Sequence, residues 1–261
     1  MRPHHERTIQ RLGERFQADP TVRALLVGGS VVQGRATDDS DVDFMLVVTD
    51  EEFARREAAG ELYYVAKDLC DYPGGYVDGK VVTAGFLEEV ARSGSEPARS
   101  AFVGVLPVIA RLDGLEALLG RITTYPEDTV EEKARSFYAQ VLAFQWFVGE
   151  CERRPDPYLL RHAATRLVLF GGRLILVHNR AFFPGHKWLL ATLEAAPQKP
   201  AELLPLARAL LDAPCQAAAG RFAECVTGFV PWDEPAEGWP SCYMKDVEWA
   251  WRWGRAPLDE C

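Results

Sequence analysis

One run limits what this chain can fold into more than any other. An apolar stretch, Val22 to Val27, closes on Gly28-Gly29-Ser30. A polar loop through Arg35 and Ser40 follows, and Asp41-Val42-Asp43-Phe44-Met45-Leu46-Val47-Val48 then opens a second apolar segment. Strand side chains alternate between faces, so Asp41 and Asp43 share one side while Val42 and Phe44 take the other. Two carboxylates held together repel unless cations lie between them, and magnesium suits a hard-oxygen site of that kind. Glycines at the turn let backbone N–H groups come close to a phosphate. Taken singly, Gly-Gly-Ser is an ordinary turn and Asp-x-Asp an ordinary solvated strand end. Their order and spacing carry more information.

The ordered set is strand, Gly28-Gly29-Ser30, Gly34 four residues after the serine, then Ser40-Asp41-x-Asp43 opening a strand. It resembles the signature of the DNA polymerase β-type nucleotidyltransferase superfamily, and within it the small aminoglycoside- and lincosamide-modifying enzymes. Many small members carry arginine where this chain has Gln33, with Arg35 nearby. The resemblance implies a reaction in which a substrate hydroxyl attacks the α-phosphorus of a nucleoside triphosphate, ATP for preference, and pyrophosphate leaves. It implies two Mg2+ ions held by Asp41 and Asp43, with Gly28, Gly29 and Ser30 on the β- and γ-phosphates. A third carboxylate on a neighbouring strand would complete the metal site or take the proton. Asp78 is the best-placed acid for it, ahead of Asp71, Glu88 and Glu89. The competing reading is that Asp78-Gly79 forms a hairpin turn.

A further cation for the triphosphate is expected from the second half. Lys187, in the Pro184-x-x-Lys187-Trp188 arrangement, is the first choice, set against its reading as a solvated first-turn lysine. Arg173 and Arg99, the latter read as exposed at a helix start, are lesser candidates.

Charge and composition bound the partners. A formal net charge of −9 disfavours a dedicated nucleic-acid binder, which would present a basic footprint. No apolar stretch is long enough to span a bilayer, and the N-terminus Met1-Arg2-Pro3-His4-His5 lacks the apolar core of a signal peptide, so a cytoplasmic location is expected. The six cysteines (Cys70, Cys151, Cys215, Cys225, Cys242 and Cys261) form no C-x-x-C pair and read as buried or free thiols. His4-His5 reads as a solvated terminus.

The periodicity predicts an α+β chain, a small mixed β-sheet with flanking helices followed by an α-helical bundle. Residues 1–125 form the expected nucleotidyltransferase domain and residues 126–261 a helical C-terminal domain with a tryptophan-rich tail. Helices are expected over residues 3–18, from Asp50 to about Ala59, and from Phe86 to Arg92. Strands are expected at Val22–Val27, at Phe44–Val48, near Tyr76–Thr83 and within Val103–Arg111. From Thr129 onward helical spacing takes over: Thr129 before Glu131-Glu132 starts a helix on which Phe137, Val141, Phe144 and Val148 recur, and a second helix covers Pro157 to about His178. Lys245 to Trp253 reads as one short docking helix.

The reading of function is therefore a metal-dependent transfer of a nucleoside monophosphate to a small-molecule hydroxyl, for instance an antibiotic. Two alternatives stand beside it: nucleotidylation of a protein or a tRNA end, and a non-catalytic nucleotide-binding partner. A homodimer is compatible with the resemblance, since small members often build the cleft across two subunits.

Overall fold

The computed structural model describes residues 1–254; Cys261 and the end of the tail lie outside the described residues. Contacts divide the chain into two compact units, Met1–Thr124 and a second beginning at Tyr125.

The first unit runs α1 (Pro3–Gln17), β1 (Val22–Val27), α2 (Gly29–Val32), β2 (Val42–Val48), α3 (Asp50–Ala59), β3 (Tyr63–Ala66), β4 (Val77–Thr83), α4 (Ala84–Ser93), α5 (Glu96–Ser100), β5 (Leu106–Ala110) and α6 (Leu115–Thr123). Its five strands lie in the order β3-β4-β2-β1-β5. Only β2 and β4 pair in parallel; the other three pairings are antiparallel. Alternation divides the apolar residues between two layers. Leu25, Val27, Val42, Phe44, Leu46, Val77 and Val81 pack with Ile9, Leu12 and Phe16 of α1. On the opposite face Ala24, Leu26, Val47 and Val82 pack with Leu87 and Val90 of α4 and with Leu115, Leu118 and Ile122 of α6.

Asp78-Gly79 is not a hairpin turn. Gly79 lies inside β4 and pairs with Phe44 of β2. A Cβ there would come within 2.5–2.6 Å of the Phe44 ring. Close ring packing, not chain reversal, explains this glycine. The ring is held from its other sides by Phe16 and Tyr64.

Two further expectations are corrected. His4-His5 is not a solvated terminus: His5 is fully buried, and both rings lie against Tyr72, at 4.4 and 5.3 Å between centroids. Arg99 is buried rather than exposed. Its guanidinium donates to the carbonyls of Gly94, Ala91, Arg121 and Ile122, and so ties α4, α5 and α6 together. A buried guanidinium needs that many acceptors, so its donors are spent within the core.

In the second unit, α7 (Val130–Arg153) and α8 (Pro157–His178) form a long hairpin on which α9 (Leu189–Ala195), α10 (Leu203–Asp212) and α11 (Gln216–Thr227) assemble. Asp156 caps α8, accepting from the N–H groups of Tyr158 and Leu159. The paired glycines of α8 permit close approach. A Cβ on Gly171 would meet Phe222 at 2.5 Å, and one on Gly172 would meet Leu193 at 2.8 Å. Arg173 is buried against the Phe137 and Phe183 rings, 4.4 and 4.9 Å from their centroids, and belongs to this core. The tail is not one helix from Lys245. It begins earlier, with α12 (Trp239–Tyr243), and continues as wider and tighter turns to Trp253. Tyr243 docks on Phe144 and Phe147, whereas Trp251 and Trp253 stay exposed.

Candidate active site

Three carboxylates converge on one face of the first unit's sheet. Asp43 near the start of β2 and Asp78 near the start of β4 are directly paired, because the two strands run parallel in that register. Asp41 lies just before β2, two residues from Asp43 and therefore on the same side. Each residue offers an oxygen lying within 4.8 Å of those of the other two, and all three are half-buried. On this face Val47 and Val82, farther along the strands, are covered by α4 and α6; the three aspartates sit beyond that cover, at the strands' beginnings.

Gly29 is fitted to this cluster. It opens α2 with φ +69°, and a Cβ added to it would lie 2.7 Å from Cγ and 2.9 Å from Cβ of Asp43. The N–H of Gly28 donates to the carbonyl of Asp43 at 2.9 Å, which fixes the turn onto β2. Helix α2 is a single turn starting at Gly29, with Ser30 its second residue. The loop before Asp41 is also held: Thr37 N–H donates to the Ser40 hydroxyl, and Tyr72 donates to the Ser40 carbonyl at 2.7 Å.

Two tyrosines that sequence reasoning passed over complete the group. Tyr63 on the edge strand β3 donates to Asp78 Oδ2 at 2.9 Å. Tyr76, just before β4, has its hydroxyl pushed up to about 12 by interaction with the Asp41 carboxylate. Tyr63 is likewise raised, first by its bond to Asp78 and then by partial loss of hydration and nearby carboxylate charge. Both therefore remain O–H donors at neutral pH.

Lys80 was also missed. It is exposed on the same face as Asp78, two residues along β4, and it makes no ion pair with any described residue. The alternation Tyr76-x-Asp78-x-Lys80 would have pointed to both residues had the segment been read as strand alone. Lys187 lies in the second unit, exposed, in a short turn at His186–Trp188, with its ammonium 5.4 Å from the Trp188 ring centroid.

The donor set is all hard oxygen. Three carboxylates this close suit Mg2+ or Mn2+ and do not suit the soft or imidazole-preferring metals. Among the described residues no other group of His, Cys, Asp and Glu is gathered this way. Cys70, Cys151, Cys215, Cys225 and Cys242 are free thiols. No helix among the described residues is long and apolar enough to cross a membrane.

Comparison with known proteins agrees with the geometry over the first unit. Residues 5–85 match the family described as nucleotidyltransferase domain, a segment that spans Gly29, Ser30 and all three aspartates. A nucleotidyltransferase-like protein from Exiguobacterium sibiricum is similar in structure at 14% identity and a TM-score of 0.46, covering 92% of this chain and 77% of that one. No curated protein matches the chain.

Proposed function

We propose that this protein transfers a nucleoside monophosphate from a nucleoside triphosphate, ATP for preference, to the hydroxyl of a small-molecule acceptor such as an aminoglycoside- or lincosamide-like compound. The observation that carries the proposal is the gathering of Asp41, Asp43 and Asp78 on one sheet face beside Gly29, inside the segment that matches a nucleotidyltransferase domain. Asp41, Asp43 and Asp78 would hold magnesium, which when bound offsets the negative charge of the phosphate oxygens and of the attacking oxygen.

The chain's own contribution is positional. Within the Gly28-Gly29-Ser30 turn the N–H of Gly28 is spent on Asp43, so the N–H groups of Gly29 and Ser30 and the Ser30 hydroxyl are the groups proposed for the β- and γ-phosphates. In the reaction the acceptor oxygen forms a bond to the α-phosphorus, the bond from that phosphorus to the bridging oxygen breaks, and pyrophosphate leaves. The acceptor's proton passes to a carboxylate oxygen of the triad, for which Asp78 is proposed. Lys187 is proposed as a triphosphate cation.

The test is incubation with each labelled triphosphate and Mg2+ against a panel of aminoglycosides, lincosamides, proteins and RNA. Label transferred to a small hydroxyl compound supports the reading, and label on protein or tRNA redirects the acceptor assignment. Metal-dependent pyrophosphate release that survives Asp41→Asn would overturn the carboxylate assignment.

A further inference from the structure

We infer that Tyr63 is a positioning residue for Asp78: its hydroxyl holds one carboxylate oxygen so that the other is presented in a fixed direction to the cation and the acceptor. The inference rests on the proposed metal-dependent reaction and goes beyond it by assigning a role outside the carboxylates.

Packing does not account for the placement of Tyr63. It is 60% exposed on the edge strand. Tyr64, the next residue, uses the inner face and packs its ring on Phe16 and Phe44. The two neighbours thus divide the work, one in the core and one at the site. Tyr63 pairs with Lys80, and Val65 pairs with Asp78. The Tyr63 hydroxyl therefore reaches diagonally past its own partner to arrive 2.9 Å from Asp78 Oδ2. Diagonal reach of this kind is what long aromatic side chains achieve across a strand pair.

An aspartate carboxylate has two oxygens, and rotation about Cα–Cβ and then about Cβ–Cγ decides where they point. A donor fixed to Oδ2 restrains both rotations and so favours one orientation of Oδ1. Ligating carboxylates are commonly hydrogen-bonded in this way, and loss of such a partner typically costs about 10- to 100-fold in metal affinity or activity.

The experiment is Mn2+ binding to the whole chain, read by the electron paramagnetic resonance of free Mn2+, for the parent, Tyr63→Phe, Tyr63→Leu and Asp43→Asn. Tyr63→Phe keeps the ring and removes only the hydroxyl, and because the residue is largely exposed its melting temperature should fall by no more than a few degrees. The Mn2+ dissociation constant should rise about tenfold or more in Tyr63→Phe. Tyr63→Leu should do no worse, because the hydroxyl and not the ring is the active part. If Asp43→Asn loses binding while Tyr63→Phe stays within twofold of the parent, the positioning role is wrong and the metal site stands. If Asp43→Asn binds as the parent does, the metal site itself is wrong and the inference falls with it.

Discussion

Gly29→Ala offers a direct test of how tightly the phosphate turn and the carboxylates are built against each other. Two effects must be separated. An L-residue held at positive φ costs roughly 1–2 kcal/mol in backbone strain wherever it occurs. At Gly29 the new methyl would also sit 2.7 Å from Asp43 Cγ, well inside contact distance, so the carboxylate or the turn must move. Gly60 separates the two effects. It ends α3 at φ +73° with nothing within 4 Å of an added Cβ, so Gly60→Ala carries the strain alone.

Both variants should therefore melt a few degrees below the parent. Only Gly29→Ala should lose Mn2+ affinity. A loss of tenfold or more is expected, equivalent to about 1.4 kcal/mol. Asp43 is one of only three gathered oxygen donors, and an off-rotamer shift of its side chain would cost a comparable amount, about 0.5–1.5 kcal/mol. Calorimetric Mn2+ titration of the three proteins decides it. Equal Mn2+ affinity in Gly29→Ala and Gly60→Ala would refute the claim that Gly29 is a glycine because Asp43 needs its space.

Three other outcomes follow from the same geometry. Gly79→Ala should lose about 1–3 kcal/mol of stability in urea unfolding, since its methyl meets a Phe44 ring already confined by Phe16 and Tyr64; combining it with Phe44→Leu should recover part of that loss. Lys187→Ala and Lys80→Ala should each raise the KM for the triphosphate in a pyrophosphate-release assay, and an unchanged KM removes the residue concerned from the donor site. Glu52 is held down to about 2 by hydrogen bonds from Arg55 and then Arg56, below the ordinary carboxylate value near 4.3. A depressed folded-state value means stability present above pH 5 and lost between about pH 5 and pH 2, so Glu52→Gln should flatten the acid dependence of melting in that window.

Local order was readable in the sequence where it depended on local chemistry. β1 at Val22–Val27, α3 at Asp50–Ala59 and α8 at Pro157–His178 follow from apolar period and from stop signals beside them. The cap of α3 is Thr49, which accepts from Glu52 N–H, with the acidic residues forming the first turn behind it. Contacts between distant segments were not readable. Nothing local to Arg99 distinguishes a surface arginine from one whose acceptors lie in α4 and α6. His5 is buried because Tyr72, far along the chain, covers it. Asp-Gly carried a turn signal that the Phe44 ring overrides, and no rule of spacing places that ring. The tyrosine hydroxyls were hidden for the same reason: Tyr63 reaches Asp78 only through the pairing of β3 with β4.

The carboxylate cluster has an energetic consequence that depends on no substrate. Three like charges with oxygens within 4.8 Å of one another repel. Each pair costs roughly 1 kcal/mol at the dielectric of water and about 3 kcal/mol at an effective dielectric of 20, and half-buried groups lie between these limits. The hydroxyl donor at Asp78 offsets part of this, but a hydroxyl brings no net positive charge. That repulsion is lowered by a bound cation or by removal of a charge. Asp41→Asn should then melt higher than the parent without divalent metal, by an amount corresponding to about 1–3 kcal/mol. Mn2+ should raise the melting temperature of the parent and leave that of Asp41→Asn nearly unmoved. The crossing of the two responses is the decisive feature, because a carboxylate serving only as a structural hydrogen-bond acceptor would destabilise the protein when replaced. If Asp41→Asn melts lower than the parent in the absence of metal, the triad is held together by something other than the cation it is proposed to bind.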